Sequence, residues 1–417
     1  MKLKYAFAGA SGRGLGMFCK PMLKDFQDAC EIVGVYDINP GRAQQFVKSC
    51  EGNFPAYDDF ETMINETKPD RVIVTTVDAF HSDYIIKSLE MGCDVITEKP
   101  MTIDATRCRA ILDAEKRTGH KVTVTFNYRY APFMTKIREI IANDEIGEVY
   151  SVHFEWLLTR NMEYGAHGKS YFHRWNARMK NSGGLLVHKS THHFDLINWF
   201  IDQRPSKVSA FAQLRLYGPK NYPFDDPEGE RPIRCSTCKH ADECEFCHKF
   251  SESELEMFVP YEKYDGYMKD NCVYAPDIDI YDTMAVTVQY DKGAVLTYSL
   301  NATTPYEGWR CVINGSKGRL EATNYETGVL SKVPQNHIKV FDLKDNVTDY
   351  AITKATGGHG GGDERLRKMI FLGNQPDPMH HAAGSADGAY SIIVGAAANI
   401  SIAEGRVVDV EELLGNK

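Results

Sequence analysis

The chain has 417 residues, of which 43% are hydrophobic, and a formal net charge of −9. That length exceeds what one hydrophobic core usually serves, so two domains are expected. The acidic balance and the lack of any Lys/Arg block exclude a nucleic-acid binder held by counterion release and a polybasic membrane patch. A small molecule is the expected partner, with no nucleic acid and no membrane.

Lys2, Leu3 and Lys4 lead straight into a short apolar strand, too short for a signal-peptide core, and no stretch reads as a transmembrane span. The eleven cysteines are an odd count. Six of them (Cys19, Cys30, Cys50, Cys93, Cys108 and Cys311) are scattered among apparent helices and strands, as small core residues would be. This argues for a reducing compartment, the cytoplasm.

The first 125 residues alternate short apolar runs with amphipathic stretches. Residues 5–8, 32–36, 72–75, 95–97 and 122–125 read as strands, and 58–66, 82–91 and 104–118 as helices. Strands alternating with helices at this spacing predict a parallel sheet covered on both faces. Beyond Asn127 longer runs of period two appear, at 149–156, 208–216, 283–290 and 294–300, which predict a largely antiparallel sheet. Residues 218–280, rich in Pro, Asp, Glu, Cys and Tyr, read as an insertion on that sheet. The fold class is thus α/β: an N-terminal dinucleotide-binding domain over 1–126, then an α+β domain over 127–417 with a large, mostly antiparallel open sheet.

The dinucleotide site is read from Gly9, Ser11, Gly12, Arg13 and Gly14, between the first strand and a helix starting near Leu15. Glycines are needed where a tight turn brings backbone N–H groups onto a pyrophosphate at a helix N-terminus. Ser11 occupies the middle glycine position of G-x-G-x-x-G, so the loop alone is equally an ordinary strand-to-helix turn. Asp37, ending the second strand, supplies the carboxylate that accepts ribose hydroxyls and repels a 2′-phosphate. NAD is therefore expected over NADP, with Arg42 nearby weakening the preference.

Glu98-Lys99-Pro100 closes the fourth strand at its carboxyl end, where ligands of doubly wound sheets bind. A lysine there is either functional or merely solvated. The glycine loop, Asp37, Thr75-Thr76 before His81, and the Glu98-Lys99-Pro100 triplet together resemble the glucose-fructose oxidoreductase/inositol dehydrogenase (Gfo/Idh/MocA) family. The resemblance covers nearly the whole chain. It implies a Rossmann NAD domain and hydride transfer to or from a sugar or polyol, with Thr75, Thr76, His81, Glu98 and Lys99 beside the cofactor. An assembled state, a homodimer or homotetramer, is expected with it. It also implies that Lys99 works with an Asp and a His from a D-x-G-x-H-x-x-D helix start, onto which 188–195 aligns. His192 falls on the family histidine and Asp195 on the last carboxylate. His188 stands where the first Asp should be and Ser190 replaces the glycine, so the usual relay is incomplete.

On a helix, His188, His192, Asp195 and Trp199 form one stripe beside the apolar stripe of Ile197, Phe200 and Ile201, which suggests a lined pocket. Alcohol oxidation needs a base for the hydroxyl proton, which an imidazole suits, and a cation for the developing alkoxide, which Lys99 suits. The plainer reading makes His192 and Asp195 a satisfied helix-start pair. A zinc-protease reading of His188 and His192 fails, because Lys189 stands where that motif needs Glu. Substrate contacts are expected from Tyr128, Arg129, Lys189 and Asp195. The loop 357–363 is too glycine-rich for a regular element and brings His359 either to the pocket or to solvent. A similar His-Gly-Gly loop in an NAD-dependent glycosidase branch keeps hydrolysis as an alternative, and a non-catalytic NAD-binding sensor is a third.

Cys235, Cys238, Cys244 and Cys247 form C-x2-C-x5-C-x2-C, with Cys272 farther on. Paired C-x2-C knuckles suit a structural metal bound by four thiolates, zinc ahead of an iron–sulfur cluster, and Cys272 is able to replace Cys247. Redox-labile thiols or disulfides are the alternatives.

Overall fold

The computed structural model describes residues 2–373 and 375–415. Six strands, β1 (Leu3–Ala8), β2 (Cys30–Tyr36), β3 (Ala56–Tyr57), β4 (Arg71–Val74), β5 (Asp94–Thr97) and β6 (Val122–Val124), form a parallel sheet in the order β3-β2-β1-β4-β5-β6. A reversal of order on either side of β1 opens a crevice at the carboxyl ends of β1 and β4. β4 and β5 are short apolar runs buried over nearly their whole length, as a sheet covered on both faces requires. Asp59 and Asp104 cap the helices Phe60–Thr67 and Ala105–Thr118 by accepting the backbone N–H of Thr62 and Arg107.

The second sheet has nine strands. It is built from β7 (Val149–Thr159), β8 (Pro205–Gln213), β9 (Thr283–Tyr290), β10 (Val295–Thr304), β11 (Gly308–Gly315), β12 (Gly318–Tyr325), β13 (Gln335–Asp342), β14 (Val347–Thr353) and the short strand Val408–Asp409. All neighbours are antiparallel except β7 and β10. β9 alternates buried and exposed residues, the signature of a sheet with one packed face. Helix Thr191–Ile201 and helix Ser385–Glu404 pack on that buried face.

The first sheet also draws on the far end of the chain. Ala383–Gly384 pairs antiparallel with β6 at its edge. Val187, Ala389 and Ile392 join the cluster on one side, and Leu366, Ile370 and Phe371 pack with Tyr5 and Phe7 on the other. The absence of any membrane-length apolar stretch, expected from sequence, needs correction. Ser385–Glu404 is long and apolar enough by length and composition, but 61% of its apolar window is buried inside the molecule, where a core helix belongs.

Between β8 and β9 the insertion contains only short helical turns and one bridge, Arg234 to Asn271. The predicted single helix through His188 and His192 is in fact two, Leu185–His188 and Thr191–Ile201, interrupted at Lys189 and Ser190. The interruption rotates His188 off the stripe that continuous helical geometry predicts.

Candidate active site

The glycine loop sits where β1 delivers it, at the mouth of the crevice. Gly9 has φ +101°, and a Cβ there would lie 2.8 Å from the Thr75 carbonyl carbon, so both conformation and space demand glycine. Thr75 Oγ1 donates to the Gly9 carbonyl at 2.8 Å, and the Gly14 N–H donates to Ser11 Oγ at 2.9 Å. Ser11 thus closes the turn where the motif carries glycine. Asp37 accepts the N–H of Ala10 at 2.8 Å, which brings the carboxylate at the end of β2 directly against the loop. Nothing lies within 4 Å of a Cβ built on Gly12. A hairpin of backbone with an open face and a carboxylate beside it fits the pyrophosphate and ribose of a dinucleotide.

Arg13 spans the mouth. Its Nε donates to Glu98 Oε1 at 2.7 Å and its Nη1 to Asp363 at 3.3 Å. Asp363 also accepts from Asn127 at 2.5 Å and lies 3.0 Å from His359 Nδ1, so the glycine-rich loop is tied to the first domain. In that loop His359, Gly360 and Gly361 all have positive φ, and the helix proper begins after them. His81 is buried with its ring nitrogens 2.8 Å and 3.1 Å from the carbonyls of Pro100 and Thr76. It braces the Glu98-Lys99-Pro100 turn rather than facing the crevice. Thr76 Oγ1 donates to the Val77 carbonyl at 3.3 Å.

Lys99 leaves the end of β5 and donates to the His188 carbonyl at 3.3 Å. Burial pushes its pKa down to about 8, with Glu98 and Asp78 resisting the shift. His188 Nδ1 meets Asp78 Oδ2 at 2.5 Å, and the Asn176 amide approaches His188 Nε2 at 3.2 Å. With the amide donating, Nε2 accepts and Nδ1–H points at the carboxylate. Both ring nitrogens are committed. Burial pushes Asp78 well up and His188 well down, which disfavours separated charges in the pair.

His192 is the less committed ring. It is 2% exposed, and its Nδ1 is buried without a hydrogen-bond partner among the described residues. Burial, then the Lys99 charge, hold its pKa well below the usual imidazole range, so it is neutral at pH 7. Tyr128 lies edge-on to it at 4.9 Å between ring centroids and His359 at 5.6 Å, and Tyr128 is also edge-on to His359 at 4.9 Å. Lys189, 5% exposed, holds its Nζ 5.0 Å over Trp156 and 6.0 Å over Tyr128. Burial works against its charge, but Tyr171, Glu307 and the acidic group beyond it outweigh that and keep its pKa above normal.

The structure therefore brings Lys99, His188, His192, Lys189, Tyr128 and His359 together. Arg129 and Asp195 are instead committed to each other: Arg129 donates to Asp195 at 2.8 Å and 2.6 Å in a buried bidentate pair and to Asp387 at 3.1 Å. Their charges satisfy each other. Asp78, His167 and Glu307 escaped the sequence reading. His167 Nδ1 lies 2.8 Å from Glu307, and its Nε2 lies 2.9 Å from the Tyr171 hydroxyl, which no local motif announces.

The metal expectation is not supported. Cys235, Cys238, Cys244, Cys247 and Cys272 are free and line one cavity of about 20 Å³, walled also by Tyr222, Phe224 and Phe246. Among the described residues, no group of three or more His, Cys, Asp or Glu is disposed to hold a metal ion.

The fold and this crevice define a dinucleotide-dependent oxidoreductase with a C-terminal α/β domain. The family assignment follows from residues 3–126, which match the model of the oxidoreductase family NAD-binding Rossmann fold, and 138–410, which match that family's C-terminal alpha/beta domain. The chain belongs to the Gfo/Idh/MocA oxidoreductase family. It is 39% identical over 427 residues to YteT of Bacillus subtilis, named as an oxidoreductase, covering 98% of this chain and 97% of that one. It is 32% identical over 120 residues to the D-glucoside 3-dehydrogenase of Escherichia coli, covering 29% of this chain and 34% of that one. The fold is similar to the WlbA dehydrogenase of Chromobacterium violaceum, solved with NADH and UDP-GlcNAcA, with TM-score 0.64, 18% identity, and 98% and 96% of the two chains covered.

Proposed function

We propose that the protein is an NAD-dependent dehydrogenase or reductase acting on a hydroxyl of a sugar, polyol or glycoside. The observation that carries this is the neutral, buried His192 beside Lys99, at the strand ends that also present the glycine loop. Relatives named as dehydrogenases of inositol and of a D-glucoside support the substrate class. Bound nicotinamide supplies the hydride acceptor or donor. Asp37 would hold the ribose and Gly9 to Gly14 the pyrophosphate.

His192 takes the hydroxyl proton, a role its neutral ring suits, and Lys99 stabilises the oxygen as it becomes an alkoxide. Tyr128, Lys189 and His359 form the adjoining wall and orient the ring of the substrate. The pair His188 and Asp78 fixes the backbone carbonyl that receives the Lys99 ammonium. The eleven free thiols support the cytoplasmic placement.

His359, beside His192, favours one second reading: hydrolysis or elimination of a glycoside through transient oxidation, with NAD retained. Turnover of a glycoside panel separates the two. A dehydrogenase consumes NAD mole for mole with product, whereas the second reading needs only catalytic NAD. Product formed at many equivalents per NAD would replace the first reading with the second.

A further inference from the structure

The insertion reaches back to the first domain beside Asp37. Its helix Glu252–Met257 and the turns that follow lie on the helix Pro40–Ser49, which carries Arg42. Asn39 Nδ2 donates to the Tyr261 carbonyl at 2.8 Å, and the Tyr261 hydroxyl donates to Gln45 Oε1 at 3.1 Å. A Cβ on Gly41 would lie 2.3 Å from the Tyr261 ring, so this contact exists only because residue 41 is glycine. Arg234 anchors the far side through Glu262 at 2.8 Å and Asp270 at 2.7 Å.

The docked segment delivers Asp265 to Arg42. Arg42 is 7% exposed, its Nη2 is paired with Asp265, its Nε lies 3.8 Å from Asp37, and its guanidinium carbon is 5.6 Å from the Tyr267 ring centroid. The Asp265 side chain is 17% exposed. An arginine one turn beyond the end of β2 is what a dinucleotide fold uses to accept a 2′-phosphate. Here that cation is stacked, buried and neutralised from the insertion.

We infer that Asp265 is a positioning residue for cofactor choice: by holding Arg42 it withholds the cation that would bind the 2′-phosphate of NADP, and so enforces NAD together with Asp37. This rests on the proposed NAD site. Carboxylate and phosphate compete for the same guanidinium edge, and a bidentate guanidinium–phosphate pair is one of the stronger charge-assisted contacts. The sequence-level conflict between Asp37 and Arg42 is thereby resolved by a residue more than 200 positions away.

The test is calorimetric titration of the full-length protein with NAD and NADP, needing no substrate. Asp265→Asn keeps the shape and removes the charge, and is expected to move the ratio of dissociation constants about tenfold toward NADP. Asp265→Glu should restore the wild-type ratio, and adding Arg42→Ala to Asp265→Asn should abolish the gain. A loosened insertion would weaken both nucleotides together and leave the ratio unmoved. That unmoved ratio, with wild type still preferring NAD, overturns the inference alone. Wild type binding both nucleotides equally overturns the NAD site and the inference with it.

Discussion

His188 and Asp78 meet at 2.5 Å across the domain boundary, one from the short helix Leu185–His188 and the other from the first turn of the helix Asp78–Glu90. The contact supplies a carboxylate to the site from a direction that the D-x-G-x-H-x-x-D pattern does not describe. It also changes what substitution at 188 should do. Replacing His188 by the Asp of the family pattern sets two carboxylates against each other in a buried site. His188→Asp should therefore lose activity, whereas Asp78→Asn, which keeps an acceptor, should lose less. Asp78→Ala leaves the imidazole N–H unpaired and should cost about 1–3 kcal/mol in chemical denaturation.

Lys99 and His192 act on one developing charge, so their removals should be non-additive. Lys99→Met and His192→Ala should each lower kcat by about 10²-fold or more on a verified substrate, and the double variant should be little worse than either. NAD affinity should change little in His192→Ala. Wild-type turnover in both single variants would remove the relay.

The pH profile separates the two roles. With its pKa lowered to about 8, Lys99 loses its proton as the pH rises through that value, so kcat/KM should fall on a basic limb near pH 8. His192, held well below the normal imidazole pKa, stays neutral on the acid side, so no acid limb should appear near pH 6.5. Lys99→Met should abolish the basic limb along with most of the rate.

Gly12 distinguishes cofactor binding from folding. Because nothing lies within 4 Å of a Cβ at this position, Gly12→Ala should leave the melting temperature nearly unchanged, while the added methyl meets whatever rests on the loop. NAD affinity is expected to drop by about tenfold, read by calorimetry. Gly9→Ala, strained in conformation and space, should lower both. Equal NAD affinity in Gly12→Ala would place the pyrophosphate elsewhere.

Arg129→Ala should destabilise the fold rather than the chemistry. It leaves Asp195 buried and unpaired, which typically costs about 3–5 kcal/mol. Asp195→Ala should behave alike, and a folded Arg129→Ala with intact stability but a raised KM would return Arg129 to the substrate pocket.

The period-two and strand–helix rhythms were readable because they follow from burial on one face or two, as β9 and β5 show. Strands β11 to β14 carry the same alternation less cleanly, with β14 mostly exposed, and were not separable by pattern. In the site, Lys99 and His192 were legible because strand ends and helix starts carry local signals. Asp78 and Glu307 were not, since each gains its meaning from a partner over 100 residues away. The charge of Arg129 read as a substrate contact because a sequence does not show that Asp195 already meets it.

The short strand Ala383–Gly384 has a consequence for how the protein is made. Until it pairs with β6, the first sheet ends in an uncovered edge, and the hydrophobic faces later covered by Leu366, Phe371 and Ile392 stay open. On the ribosome these last contacts of the first domain form only after residues 366–392 have been made. A fragment ending at residue 126 carries an unprotected strand edge and lacks the late side chains that complete its two clusters, conditions that favour addition of one sheet to another. The nucleotide domain thus shares its core with roughly the last eighth of the chain.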